Sequence, residues 1–150
     1  MLKQKLKEDL KQSMLAKDEL KTSVLRMLIS AITYYEIQKK GTAYQASDEE
    51  VISVVQKEIK QRRDSIEQFQ KGGRQELVDK ETKELEILQQ YLPKQMSDAE
   101  IKILVKEAIS QTGAKTIQDM GKVMGVLMPK VKGKADGSLV SQIVKENLIN

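Results

Sequence analysis

A chain of 150 residues with 39% hydrophobic, 32% charged and only 3% aromatic residues reads as a soluble, polar protein of one domain or two small ones, its core built from Leu, Ile, Val and Met. The absence of Cys removes disulfides, thiol nucleophiles and thiolate metal sites, and the absence of His removes the commonest metal ligand and the usual neutral-pH general base. A formal charge of +4 is mild and does not by itself ask for a nucleic-acid partner.

Only two prolines, abundant Lys, Glu, Gln and Leu, and no sustained polar–apolar alternation predict an all-α fold. The N-terminal stretch MLKQKLKEDLKQ is charged where a signal peptide needs an apolar core. Leu2, Leu6, Leu10 and Met14 make one stripe at helical spacing. A second helix is expected from near Glu19 to about Lys40, closed by Gly41. Its segment VLRMLISAITYYEI is apolar on nearly every side, as in the central helix of a bundle, apart from a line through Arg26, Ser30 and Thr33. The apolar run Val24 to Tyr35 is about half of a bilayer span and contains Arg26, so no membrane and a cytoplasmic location are expected.

Ser47 to Glu50 is a capping box that opens a third helix reaching about Lys71, and Gly72-Gly73 turns the chain into a fourth that runs to Leu92. These two should form an antiparallel hairpin. Arg62 interrupts the apolar seam of the first, Ile52, Val55, Ile59, Ile66 and Phe69; Glu81 interrupts that of the second, Val78, Leu85, Leu88 and Leu92. Reflection about the glycine pair brings Arg62 opposite Glu81 to Glu84, which predicts an ion pair inside the seam, either fixing the register or holding a ligand. Elsewhere the charges fall at helical pair spacing, as in Glu58–Arg62, Lys60–Asp64 and Arg63–Glu67, and read as solvated faces.

Pro93 breaks the pattern and separates an N-terminal bundle of about four helices, residues 1–92, from a C-terminal three-helix domain, residues 93–150. Ser97 to Glu100 is a second capping box, followed by the face Ile101, Leu104, Val105, Ala108 and Ile109 and a stop at Gly113. Thr116 should cap the next helix, which Pro129 ends or kinks; Asp136 should cap the last, Gly137 to about Leu148. The C-terminal domain holds nine Lys against six acidic residues, and most of the surplus lies around DMGKVMGVLMPKVKGKADG, Asp119 to Gly137.

In that stretch Gly121 and Gly125 lie one turn apart, and Met120, Met124 and Met128 run at four-residue steps. Close helix–helix contact is the plain reading of the glycines, and core packing that of the methionines. The segment PKVKGKADG differs. Lys130, Lys132 and Lys134 have no evident packing role, and together with Lys122 and Gly133 they could contact phosphates: Lys supplies point charges and Gly lets backbone N–H groups come near. Asp136 at the following helix start would repel a phosphate placed there, so contacts are expected along the lysines. Without aromatic side chains in this half, base stacking is not expected. No catalytic residues, metal ligands or cofactor are expected, since the chain has no base for a Ser nucleophile, no phosphate-binding loop and no dinucleotide fingerprint.

DMGKVMGVLMPKVKGKADGSLV, together with RRDSIEQF and EILQQYLPKQMSDAEI, closely resembles the YqeY family of small bacterial proteins over nearly the whole length. The C-terminal part also resembles the tail domain of the B subunit of aspartyl/glutamyl-tRNA amidotransferases, whose pattern falls on Gly125, Met128, Lys132, Gly133, Lys134, Ala135 and Asp136. Gly137 stands where that tail commonly has Pro, and Pro129 is a further departure. The resemblance implies an all-α fold and affinity for tRNA or another structured RNA. The family's association with carbon–nitrogen ligases that use glutamine as amide donor implies, as an alternative, an accessory role beside amidotransferase subunits. A further alternative is a protein-interaction module, in which the Met-rich face of Met120, Met124 and Met128 is exposed for a partner helix. The amidase subunit and the catalytic domain of the B subunit have no counterpart in these residues, so independent amide transfer is not expected.

Overall fold

In the computed structural model, which describes residues 1–148, every regular element among those residues is helical. The chain runs through α1 (Leu2–Leu15), α2 (Glu19–Lys40), α3 (Asp48–Lys71), α4 (Gln75–Gln89), α5 (Asp98–Thr112), a 3-10 turn (Ile117–Asp119), α6 (Met120–Val131) and α7 (Gly137–Leu148). The fold is all-α. Contacts divide the chain into a unit Met1–Leu92 that holds α1 to α4 and a unit beginning at Pro93 that holds α5 to α7.

Local chemistry sets the helix boundaries. Asp18 opens α2 by accepting from the Lys21 N–H at 3.1 Å, and Lys39 and Lys40 complement the dipole at its far end. Both Ser capping boxes form: Glu50 and Glu100 reach back to the backbone N–H of Ser47 and Ser97 at 2.9 and 2.8 Å, and each serine hydroxyl accepts in return. α5 stops where Gly113 turns left-handed, at φ +69°.

The first unit packs around Leu6, Leu25, Leu28, Ile32, Val51, Val55 and Leu88, drawn from all four helices. Two expectations fail here. Met14 does not complete the stripe of α1; it is half exposed, and Ser13 turns inward instead, donating to the Leu10 carbonyl and lying 2.9 Å from the Thr22 hydroxyl. A four-residue step overshoots a helical turn by about 40°, so three steps carry a side chain off the stripe that Leu2 began. Nor is α2 enclosed: Val24, Leu25, Leu28, Ile32 and Glu36 are buried, while Met27, Tyr34 and Ile37 face outward. One buried stripe is enough to hold this helix against its neighbours.

Polar groups complete the unit. Within the α3–α4 hairpin the Arg62 guanidinium lies 3.5 Å from Glu81 and 3.3 Å from Glu84, and of the two carboxylates Glu84 is the more deeply buried. Glu36 accepts from the Ala46 N–H and from Lys3, each at 2.7 Å, which ties α1 and α2 to the segment leading into α3. Burial alone would push the Glu36 carboxyl up. The bonds from Ala46 and Lys3 and the charges of Lys3 and Lys7 outweigh it and hold the group below the ordinary carboxylate value. The Tyr91 hydroxyl donates to Asp9 at 2.7 Å; burial first, then the Asp9 carboxylate, raises its pKa.

The second unit has a wholly apolar interior among the described residues. Ile101, Val105 and Ala108 of α5 meet Val123, Leu127 and Val131 of α6 and Val140, Ile143, Val144 and Leu148 of α7.

Candidate nucleic-acid interface

α6 buries Val123, Leu127 and Val131, one residue per turn, and that choice decides where everything else on the helix points. Gly121 and Gly125 fall on the opposite side and are exposed; a Cβ at either position would meet nothing within 4 Å. They therefore do not mediate close helix–helix contact, contrary to the reading from sequence. The methionines take a flank: Met120 and Met124 are half-buried against the core and Met128 is exposed. The Val/Leu/Val stripe already fills the space facing α5 and α7, so the ladder lies at the margin of the core. Pro129 neither ends nor breaks α6, which continues to Val131. The ring removes only the N–H that would bond the Gly125 carbonyl, and both residues lie on the open face, where that carbonyl can be solvated.

Beyond α6 the chain alternates strictly. Val131, Gly133 and Ala135 are buried, whereas Lys132, Lys134 and Asp136 are exposed, and Lys130 is exposed one residue upstream. The Val131 carbonyl accepts from the N–H groups of Lys134 and Ala135 at 2.9 and 3.0 Å, which closes the turn. Gly133 adopts φ +78°, a left-handed conformation that a side chain disfavours. Because it is buried, this glycine does not offer its backbone to a ligand; it allows the turn that aims Lys132 and Lys134 outward. Its carbonyl accepts from Gln95 Nε2 at 3.0 Å, and the Lys134 carbonyl accepts from the Met96 N–H at 2.8 Å. Sequence reading missed Gln95 and Met96, which form this brace, because nothing in their spacing marks them.

The Asp136 carboxylate accepts from the Ser138 N–H at 2.9 Å, and its carbonyl accepts from Val140 at 3.0 Å, so it sits at the N-terminus of α7. That end is closed to an incoming anion by its own carboxylate. Lys122, eight residues before Lys130 and so about 12 Å from it along the axis, is also exposed and is turned about 80° from it around α6. It also sits beside Asp119, whose carboxyl is held low first by the bond from Lys115 N–H, then by that from Thr116 N–H, and further by the charge of Lys122. By contrast, no carboxylate among the described residues pairs with Lys130, Lys132 or Lys134.

The structure therefore brings Lys130, Lys132 and Lys134 together around one turn, with Lys122 two helical turns away. Arg62 and Glu81 belong to the seam of the first unit, and Met128 to the margin of the α6–α7 core. Among the described residues no three carboxylates gather in the manner of a metal site, and no helix is long and apolar enough to cross a membrane.

The profile of the family described as Yqey-like protein matches residues 3–148. Altered inheritance of mitochondria protein 41, mitochondrial, of Saccharomyces cerevisiae is 32% identical over 150 aligned residues, covering 94% of this chain and 80% of the relative. The protein of the same name in Vanderwaltozyma polyspora is 42% identical over 87 residues, 58% of this chain and 46% of that relative; in Lachancea thermotolerans the match is 39% over 109 residues, 71% and 57%. The chain thus matches about half the length of the last two relatives.

Proposed function

The chain belongs to the Yqey-like protein family, and from that premise we propose that its C-terminal unit is a non-catalytic RNA-binding module with structured RNA of the tRNA kind as its ligand. The observation that carries the proposal is the alternation from Val131 to Asp136, which buries every second residue and projects Lys132 and Lys134 beside Lys130, with no carboxylate paired to them among the described residues. Three ammonium groups on one turn meet successive phosphates by charge alone, and no ring is at hand to read or stack a base.

The bare face of α6 supports the same reading. Gly121, next to Lys122, and Gly125, one turn nearer the lysine turn, leave the helix backbone open, so a sugar–phosphate strand can lie close against it. An anion cannot use the N-terminus of α7, which Asp136 occupies, so the contact runs along the lysines.

The test is binding of bulk tRNA and of an unrelated RNA duplex to the full chain and to the triple variant Lys130→Ala, Lys132→Ala, Lys134→Ala. The variant should weaken by a similar factor on every tRNA tried, because phosphate contacts carry no sequence information. A control triple of exposed lysines in the first unit, Lys57→Ala, Lys80→Ala and Lys83→Ala, should leave affinity unchanged. Equal affinity of the parent chain and the turn variant would overturn the assignment.

A further inference from the structure

We propose that the C-terminal unit carries a second site, distinct in chemistry from the lysine turn: a groove that seats one bulky apolar side chain of an acidic peptide from a partner protein. The groove has a volume of about 490 Å³ and lies between the Pro93–Met96 segment and the first turns of α5, in the range of pockets that hold a side chain with its flanking backbone. Its walls are apolar: Pro93, Met96, Leu104 and Ile103. Leu104 and Met96 also pack on the core of the unit, but Ile103 does not, and it stays 58% exposed. A β-branched aliphatic side chain left this open at the wall of a concavity gains most from a ligand that covers it.

The groove is preformed. Gln95 Nε2 donates to the Pro93 carbonyl at 2.7 Å and to the Gly133 carbonyl at 3.0 Å, and the Met96 N–H donates to the Lys134 carbonyl at 2.8 Å. These bonds fix one wall to the turn opposite, so a ligand does not have to order the segment before it binds.

Charge selects the occupant. Lys94 and Lys134 stand exposed at the rim. The single acidic lining residue, Glu100, is engaged by the Ser97 N–H at 2.8 Å as the cap of α5. The rim is therefore net basic around an apolar floor, which complements an aliphatic or aromatic anchor flanked by Asp or Glu. The four standard RNA bases carry no alkyl group large enough to cover Ile103, and no aromatic ring lines the groove to stack on a base. Since Lys134 borders both sites, the peptide and RNA should compete for its ammonium.

The experiment uses the full chain and a labelled peptide with one central Phe flanked on each side by three Glu, its ends blocked, read by fluorescence anisotropy. A peptide with Lys in place of Glu, and one with Ser in place of Phe, serve as controls. The parent chain should bind the Glu/Phe peptide and neither control. Ile103→Ser should weaken that binding about tenfold or more while leaving tRNA affinity unchanged, and Lys94→Glu should weaken it with Ile103 intact. Both positions are exposed, so both variants should keep the parent helical signal by circular dichroism. Failure of the parent chain to bind the Glu/Phe peptide, equal binding of the Lys/Phe peptide, or indifference to Ile103→Ser would each overturn the proposal. So would a loss of tRNA affinity in Ile103→Ser as large as the loss of peptide affinity, since that would make the groove part of the RNA surface. Loss of RNA binding in the lysine-turn variant bears on the earlier reading and not on this one, which is decided by peptide binding in the parent chain and in the Ile103 and Lys94 variants.

Discussion

The two units use charge in opposite ways. Every buried polar or charged side chain among the described residues, Ser13, Glu36, Arg62 and Glu84, belongs to the first unit, whereas the interior of the second is built of apolar side chains alone. In the first unit Arg62 and Glu84 lock the register of α3 on α4, and Glu36 gathers three segments of chain. A buried ionic group is retained only where its partners are fixed, so these charges are committed to the fold. In the second unit no lysine side chain is buried among the described residues.

Breaking the seam of the first unit should have the largest effect. Arg62→Ala leaves Glu84 buried without its partner and should lower stability by about 3–5 kcal/mol in denaturant unfolding. If the division of labour holds, the folded fraction of that variant binds tRNA with parental affinity. Reduced affinity in the folded fraction would show that the charges of the two units are not separate in purpose.

A middle-sized effect is expected at Glu36. Glu36→Gln removes an ionic acceptor from the Ala46 N–H and Lys3 and should cost about 1–3 kcal/mol at neutral pH. The folded Glu36 carboxyl is held below its ordinary value of 4.5, so its contribution is fully present above that pH and is lost as pH falls through the folded value. Thermal melts should therefore show parent and variant converging below about pH 4.5. A constant difference down to strongly acid pH would mean that the carboxylate charge is not what stabilises this corner.

The smallest effect has the most telling sign. Gly125→Ala places a methyl in open space on an exposed helix and should stabilise the protein by about 0.5–1 kcal/mol. Destabilisation would mean that this glycine is needed for packing after all.

Much of the fold was legible because helix ends are local chemistry. The capping boxes at Ser47 and Ser97 and the glycines at 41, 72, 73 and 113 each act within a few residues, whereas α4 stops at Gln89, three residues before the end at Leu92 that the sequence suggests. The hairpin charges were legible as well, because reflection about Gly72-Gly73 is simple arithmetic. What the sequence concealed was orientation. On α6 two apolar stripes and one glycine stripe compete for the interior, and only the partner helices decide that Val123, Leu127 and Val131 win. The inward face of Gly133 and its brace to Gln95, 38 residues away in sequence, are non-local in the same sense. So is Glu36, whose burial depends on Ala46 folding back over it. Helix periodicity reports which residues share a face, and not which face meets the core.

If the outward lysines of the turn exchange their counterions for RNA phosphates, the exchange is visible in the tRNA association constant measured across a range of salt concentrations for the parent chain and the Lys130→Ala, Lys132→Ala, Lys134→Ala variant. The logarithm of the constant should fall linearly with the logarithm of salt for both, and the slope should be flatter in the variant by about 0.7–0.9 for each lysine removed, about 2.1–2.7 in all. Parallel lines for the two proteins, or parental binding that ignores salt, would contradict the account.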